Sequence, residues 1–286
     1  MKDVAHKVVL ITGGHSGLGK CMARLFSQLG AVLVLWGTNA TQLRAAAEEI
    51  SRETGNAVHW FAVDVTDRAL VYRTAQAVQS PPFELRPLLT LRRIGPVDIL
   101  LNNAGLVSGK SIFDASYDDA LAERVFAVNT TAHLWTIRAF VPEMMRRNEG
   151  HVVCVSSAGA MVGISGLAEY CASKSGAFGL NESLRRELKS RGCDGVHTTV
   201  VCPYFFNSGM FRGVQSRIIP IMDEKYVAEC IVRAIREERQ FLGLPRLIHY
   251  FPLFLNAVLP VDVLDKVYDL FGLSKAMHSF VGKAKI

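Results

Sequence analysis

Short β-branched runs alternate along this chain with longer amphipathic patterns, an order that leaves few folds open. Strands are expected at residues 7–12, 32–36, 58–63, 98–101, 151–156 and 197–201, with a weaker seventh at 241–244. Helices are expected at 17–29, 41–53, 67–78, 118–147, 168–190 and 225–238. Strand, helix and strand again is the signature of a parallel sheet covered on both faces. The expected class is α/β, a doubly wound parallel sheet of about seven strands with helices on both faces. Ligands of such a sheet bind beyond the carboxyl ends of its strands.

Composition suits that reading. Half of the 286 residues are apolar and 20% are charged, enough for a large core in a soluble globular protein. No linker, charge block or repeat divides the chain, so residues 1–286 are read as one domain. The net charge of +6 is mild and the basic residues are scattered, apart from Arg92-Arg93, Arg146-Arg147 and Arg185-Arg186. That describes a solvated surface, with anionic membrane as the sharper alternative and no nucleic-acid partner expected. The six cysteines show no CxxC pair, so neither a metal site nor a disulfide framework is expected, and a reducing compartment is implied. No signal peptide or membrane span is expected before the first strand.

Two segments break the rhythm. Residues 80–93 (SPPFELRPLLTLRR) carry three prolines and read as an inserted surface loop. The tail, 241–286, opens with FLGLPRLIHYFPLFLNAVLP, whose apolar run is broken by Pro245, Arg246, His249, Pro252 and Asn256. A spanning helix wants about 20 unbroken apolar residues. This segment reads instead as a cap on the substrate side, or as a surface that dips into a bilayer.

The first expected strand runs directly into Thr12-Gly13-Gly14-His15-Ser16-Gly17-Leu18-Gly19. Glycines here permit positive φ and close approach of the backbone to a pyrophosphate. The helix that follows presents free N–H groups and the positive end of its dipole to the same anion. A glycine-rich turn alone is often only a tight turn. Its place between the first strand and the first helix of an α/β chain makes it a dinucleotide cradle, in a Rossmann-type sheet.

The spacing TGxxxGxG resembles the short-chain dehydrogenase/reductase family, and further marks of that family follow in order. Asp64-Val65 stands after the third strand, where the resemblance implies an adenine contact. Asn102-Asn103-Ala104-Gly105 resembles the family's NNAG element beside the cofactor, and Pro203 and Ser208 fall where it approaches the nicotinamide carboxamide; a turn serine would explain Ser208 almost as well. Asn129 sits in mid-helix, where the family uses an asparagine to kink the helix and hold a water. Tyr170-Cys171-Ala172-Ser173-Lys174 matches YxxxK, which puts two side chains on one helix face. About 0.3 such pairs are expected by chance in this composition, so alone the motif carries little. Ser157 lies 13 positions before Tyr170, the family's spacing, with Ser156 the weaker candidate.

The resemblance implies a catalytic set of Asn129, Ser157, Tyr170 and Lys174, and the chemistry explains the residue types. Hydride leaves a carbinol carbon only as the hydroxyl proton departs, so a base must be within reach. A tyrosine titrates at about 10 and must be helped to serve. The ammonium of Lys174 favours phenolate, and the same lysine would bond the nicotinamide ribose. Ser157 would polarise the substrate oxygen.

A narrower resemblance runs from about Val8 to the end of the chain, through KSIFDASYDDALAERVFAVNTTAHLW, EYCASKSGAFG, VCPYFFNSGMFRG and the tail. The chain is similar there to retinol and retinal dehydrogenases of the vertebrate epidermal type, and to lipid-droplet hydroxysteroid dehydrogenases. This implies a retinoid or steroid substrate, a homodimer paired through the helices of Asn129 and Tyr170, and residence at the cytosolic face of the endoplasmic reticulum or a lipid droplet. The group's apolar N-terminal anchor and the 80–93 insertion are the two departures. At the end of the second strand stand Gly37 and Thr38, where an acidic residue would repel a 2′-phosphate. The expectation is NADP, with NAD as the alternative. Competing readings are a steroid or fatty-aldehyde oxidoreductase, a catalytically silent cofactor-binding subunit, and a product that folds poorly.

Overall fold

The computed structural model describes residues 1–79, 94–246 and 250–282, with only the backbone of Phe251 and Leu253. The expected insertion at 80–93 lies outside the described residues. Seven strands form one wholly parallel sheet: β1 (Val8–Thr12), β2 (Val32–Gly37), β3 (Val58–Ala62), β4 (Ile99–Asn102), β5 (Gly150–Val155), β6 (Val196–Pro203) and β7 (Phe241–Leu244). Their order is β3-β2-β1-β4-β5-β6-β7. The chain starts in the middle, winds out to β3, then returns to β4 beside β1 and winds the other way. The crevice of such a sheet opens where the winding reverses, at the carboxyl ends of β1 and β4.

The inner strands are buried on both faces because helices cover both, while the edge strand β3 is only half-buried. On one side Met22 and Phe26 of α1 (Gly17–Gln28), with Val227, Ile231 and Ile235 of α7 (Glu224–Arg236), pack on Val9, Ile11, Leu33 and Leu35. On the other, Val71 and Val78 of α3 (Arg68–Gln79) and Phe140 and Met144 of α5 (Ala132–Arg147) pack on Leu10, Val34, Trp36 and Leu100. Side chains of a strand alternate between faces, so each strand feeds both layers and none of its five β1 residues needs to be polar. The remaining helices are α2 (Ala40–Thr54), α4 (Asp119–Phe126), α6 (Ala168–Ser190), α8 (Tyr250–Val258) and α9 (Val261–Phe271).

Three expectations are refined. The single helix expected at 118–147 is two, α4 and α5, joined by a π-helical turn at Ala127–Thr131. Asn129 lies in that turn, and its amide is held from outside the helix, as described below. The apolar run from 241 onward is not one surface: residues 241–244 are the edge strand β7, and Leu242 and Leu244 are buried. The rest of the tail folds as α8 and α9, with Leu273, Ala276 and Met277 returning to the core.

One buried contact joins the sheet to a helix layer and is easily tested. Thr136 of α5 donates its hydroxyl to Asn102 Oδ1 at 2.7 Å, and both residues are buried. Thr136→Val keeps the shape but leaves the amide oxygen unpaired, which costs about 1–3 kcal/mol. The urea midpoint of Thr136→Val should fall accordingly, and an unchanged midpoint would contradict this role.

Candidate active site

The turn after β1 is built around missing side chains. Gly13 and Gly17 have φ of +66° and +53°, a conformation that favours glycine. A Cβ on Gly19 would stand 2.4 Å from the Gly13 carbonyl oxygen and 2.7 Å from Asn103 Nδ2. A Cβ on Gly14 would stand 2.8 Å from Leu35 Cδ2. The turn therefore folds tightly against α1, with Ser16 at the N-cap position and Leu18 buried. Across it lies Gly37, whose Cβ would be 2.5 Å from His15 Nδ1. The absence of a side chain at 37 makes room for the imidazole as well as removing a carboxylate.

Thr12 stitches this turn to the Asn-Asn-Ala-Gly segment after β4. Its hydroxyl accepts from the backbone N–H groups of Asn103 and Ala104, each at 3.0 Å, and donates to the Leu101 carbonyl. Asn103 Nδ2 donates to the Thr12 carbonyl at 2.8 Å. Asn103 was not singled out from the sequence, although the doubled asparagine was the available signal. Asn102, expected at the cofactor, turns its amide towards Thr136 under the sheet instead. Asp64 also has other work: its carboxylate accepts from the Thr66 N–H and hydroxyl and pairs with Arg124 at 2.8 Å. Partial burial pushes its pKa up, but those bonds and Arg124 bring it below the ordinary value. Val65 beside it is buried, and Thr38 is exposed.

Tyr170 and Lys174 are one turn apart on α6, at 5% and 4% exposure. The Lys174 ammonium donates to the Val155 carbonyl at 2.8 Å and lies 5.8 Å from the centre of the Tyr170 ring. Gly105 lies close by: a Cβ there would stand 3.6 Å from Lys174 Nζ. Burial lowers the lysine to about 8. Burial raises the tyrosine above its ordinary value, and the Ser157 hydroxyl pulls it partly back. Ser157, just after β5, also accepts from the Gly159 N–H at 3.1 Å. Ser156 is committed elsewhere, donating to the Lys174 carbonyl at 2.8 Å. The two serines are thereby told apart: only Ser157 is directed to Tyr170.

Asn129 underlies this group. Its Nδ2 donates to the Leu106 carbonyl and to Ser173 Oγ, each at 2.9 Å, and its Oδ1 accepts from the Leu106 N–H at 2.8 Å. Ser173 in turn donates to the Tyr170 carbonyl at 2.7 Å. The resemblance implied a water-holding asparagine. Its side chain braces the segment after β4 against α6 through these bonds.

Pro203 ends β6, and Ser208 follows in the next loop with its Oγ buried and unpartnered among the described residues. Starting from Ala158, the residue after Ser157, an apolar pocket is walled by Ala158, Met161, Ile164, Tyr204, Tyr268 and Phe271. The tail supplies part of this wall, and Asn256 bridges Tyr268 Oη at 3.1 Å and the Met161 carbonyl at 3.4 Å. Of these wall residues only Tyr268 and Phe271 belong to the apolar tail, and the others carry no chemical motif that marks them as pocket lining. A wider groove between α3 and α5, beside Pro96 and Arg147, holds none of the residues above.

The model of the short chain dehydrogenase family matches residues 7–218. The chain is 41% identical to Epidermal retinol dehydrogenase 2 of Homo sapiens, over 99% of this chain and 88% of that protein. It is 37% identical to Retinol dehydrogenase 10 of Xenopus tropicalis, over 99% and 87%. Among solved structures, a short chain dehydrogenase/reductase from Burkholderia phymatum in complex with NAD superposes with a TM-score of 0.73 at 25% identity, covering 87% of this chain and 92% of that one. A metagenomic short-chain oxidoreductase in complex with NADP gives 0.65 at 26%, covering 85% and 96%. Motifs, sheet order and likenesses agree: the chain belongs to the short-chain dehydrogenase family and is an oxidoreductase acting on CH–OH groups.

Proposed function

We propose that this chain, as a single domain, interconverts a lipophilic alcohol and its carbonyl with NADP, retinol and retinal being the foremost pair. The observation that carries the substrate class is the apolar wall that starts at Ala158, the residue after Ser157. Apolar pockets bury lipophilic ligands and need only a few polar groups to fix them. Retinol dehydrogenases at 37–41% identity over almost the whole chain support the retinoid. A ketosteroid and a long-chain aldehyde suit the same wall, since such pockets separate similar apolar molecules weakly.

The residues present fit a dinucleotide. The side-chain-free turn Gly13 to Gly19 would receive its pyrophosphate at the α1 terminus, and the unpartnered Ser208 Oγ would meet the carboxamide, near Pro203. Gly37, Thr38 and His15 would face the adenosine ribose, with no carboxylate to repel a 2′-phosphate, and Asp64 and Val65 would border the adenine. Ala104 and Gly105 would flank the ribose that Lys174 bonds. When bound, the nicotinamide supplies or takes up the hydride. In reduction Ser157 orients the carbonyl oxygen and Tyr170 donates the proton; in oxidation Tyr170 accepts it. Lys174 stabilises the phenolate by charge, more strongly in this buried site than in water. Asn129 acts through Leu106 and Ser173, as a positioning residue.

No helix among the described residues is long and apolar enough to cross a membrane. The outer face of α8 nonetheless carries Tyr250, Phe254 and Val258, spaced by four and all exposed, while its Pro252 lines the pocket. We propose that this stripe rests on the cytosolic surface of the endoplasmic reticulum or a lipid droplet, so that substrate enters from the apolar phase. Next along this apolar run Leu255 is half-buried, and the side chains of Phe251 and Leu253 lie outside the described residues. We further propose a homodimer through α5 and α6, where Leu134 and Ala172 are exposed.

Tyr170→Phe should lower turnover of retinal at least about 10²-fold while leaving the Kd for NADPH within a few-fold. Single-turnover assays with NADPH or NADH against retinal, a ketosteroid and a long-chain aldehyde read both enzymes. Near-parental rates in the variant would remove the tyrosine from the chemistry, and a parent that prefers NADH would overturn the NADP reading. On the same protein, light scattering should give a dimer mass, and liposome flotation should weaken about ten- to a hundredfold in Phe254→Glu, since a buried aromatic contributes about 1.5–3 kcal/mol. Equal flotation of both proteins, or of neither, would exclude the α8 stripe.

A further inference from the structure

Glu169 precedes Tyr170 in the first turn of α6 and is only 5% exposed. A carboxylate taken from water is costly unless hydrogen bonds or opposite charge compensate it. Among the described residues Glu169 forms no ion pair. Both of its oxygens are instead met by hydroxyls from the segment joining β4 to α4: Ser108 Oγ donates to Oε1, and Tyr117 Oη to Oε2 at 3.5 Å. The helix dipole adds to this, because negative charge is favoured in a first turn.

The segment held in this way borders the reacting groups. Val107 packs into the core cluster that contains Tyr170 and Phe211. Gly109 lies against the Phe280 ring so closely that a Cβ would meet it at 1.9 Å. Internal bonds run from Lys110 Nζ to the Ser116 carbonyl and from the Asp114 N–H to the Ser111 carbonyl. Its near end is fixed by Asn129 at Leu106, and its far end by Asp118, which caps α4. Between them, Ser108 and Tyr117 both reach Glu169. The carboxylate belongs to the helix of Tyr170 and Lys174, so the clasp ties the segment directly to that helix.

We propose that Glu169 is a positioning residue that clasps residues 107–117 through Ser108 and Tyr117 and so sets the width of the substrate entrance. The proposal rests on Tyr170 as the reacting group. It assigns Glu169 no proton transfer, because among the described residues its carboxylate is hydrogen-bonded to Ser108 and Tyr117 and not to a reacting group. Loosening the clasp should act on the seating of bulky substrates more than on the chemical step.

The test compares Glu169→Ala, Glu169→Gln and the double variant Ser108→Ala/Tyr117→Phe, using retinal and propanal as carbonyls. In Glu169→Ala the KM for retinal should rise at least tenfold more than that for propanal, with kcat falling by less than the rise in KM. The double variant should reproduce this split, and Glu169→Gln should fall between, since the amide oxygen keeps one acceptor. Amide exchange within residues 106–117 should quicken about tenfold in Glu169→Ala, whatever substrate the parent accepts. That readout separates a failed clasp from a failed substrate assignment. An equal loss of kcat with both carbonyls, or unchanged exchange in the segment, would overturn the proposal. Should Glu169→Ala not fold, the double variant decides alone, and normal KM and exchange in it would be equally fatal.

Discussion

The site depends on one buried charge, the ammonium of Lys174, held against the Val155 carbonyl with 4% of the residue exposed. An ammonium in such a place survives only where hydrogen bonds receive it and no other cation crowds it. His133 lies below, but burial drops its pKa to about 3, so it stays neutral. Cys154, raised to about 12 by burial, stays a thiol. Lys174 is therefore the group of this inner cluster whose charge changes nearest neutral pH. The same dryness raises Tyr170, so burial pushes the two partners in opposite directions, and a tyrosine that must give a proton at neutral pH is kept protonated.

Everything around that pair limits its movement. Ser156 bonds the Lys174 carbonyl, Ser173 bonds the Tyr170 carbonyl, and Asn129 joins Ser173 to Leu106. The π-helical turn is the local cost of bringing the Asn129 amide to both neighbours, and such turns often occur at functional sites. Sheet topology does the rest. Because β1 and β4 lie side by side, Thr12 can tie the glycine turn to the segment that Asn129 braces. Cofactor cradle and catalytic helix are thus connected by a continuous set of short hydrogen bonds.

Much of this was legible in the sequence, and the reasons are physical. Strands buried on both faces are largely apolar, so the central strands announced themselves as short apolar runs, while β7 is a four-residue edge strand continuous with the apolar tail. Glycine positions were legible because no other residue tolerates their close approaches. Side-chain direction was not. Asn102 and Asp64 stand at expected places, yet one points to Thr136 and the other to Thr66 and Arg124, because three-dimensional neighbours decide how an amide or carboxylate is used. The bond of Asn103 to Thr12 and that of Glu169 to Ser108 were hidden for the same reason: the partners are distant in the chain. The tail gave a mixed signal, since one apolar run supplies an edge strand, a pocket wall and an exposed stripe, and composition does not separate these uses.

The pH dependence of carbonyl reduction tests the buried Tyr170–Lys174 pair most directly. A tyrosine raised by burial remains a proton donor through neutral pH, and a lysine lowered to about 8 keeps its charge below that value and loses it as pH rises through it. Single-turnover reduction with NADPH should therefore be level from about pH 6 to 7.5 and then decline with an apparent pKa near 8. A decline already centred between pH 6 and 7, or a rate still climbing beyond pH 9, would contradict the account.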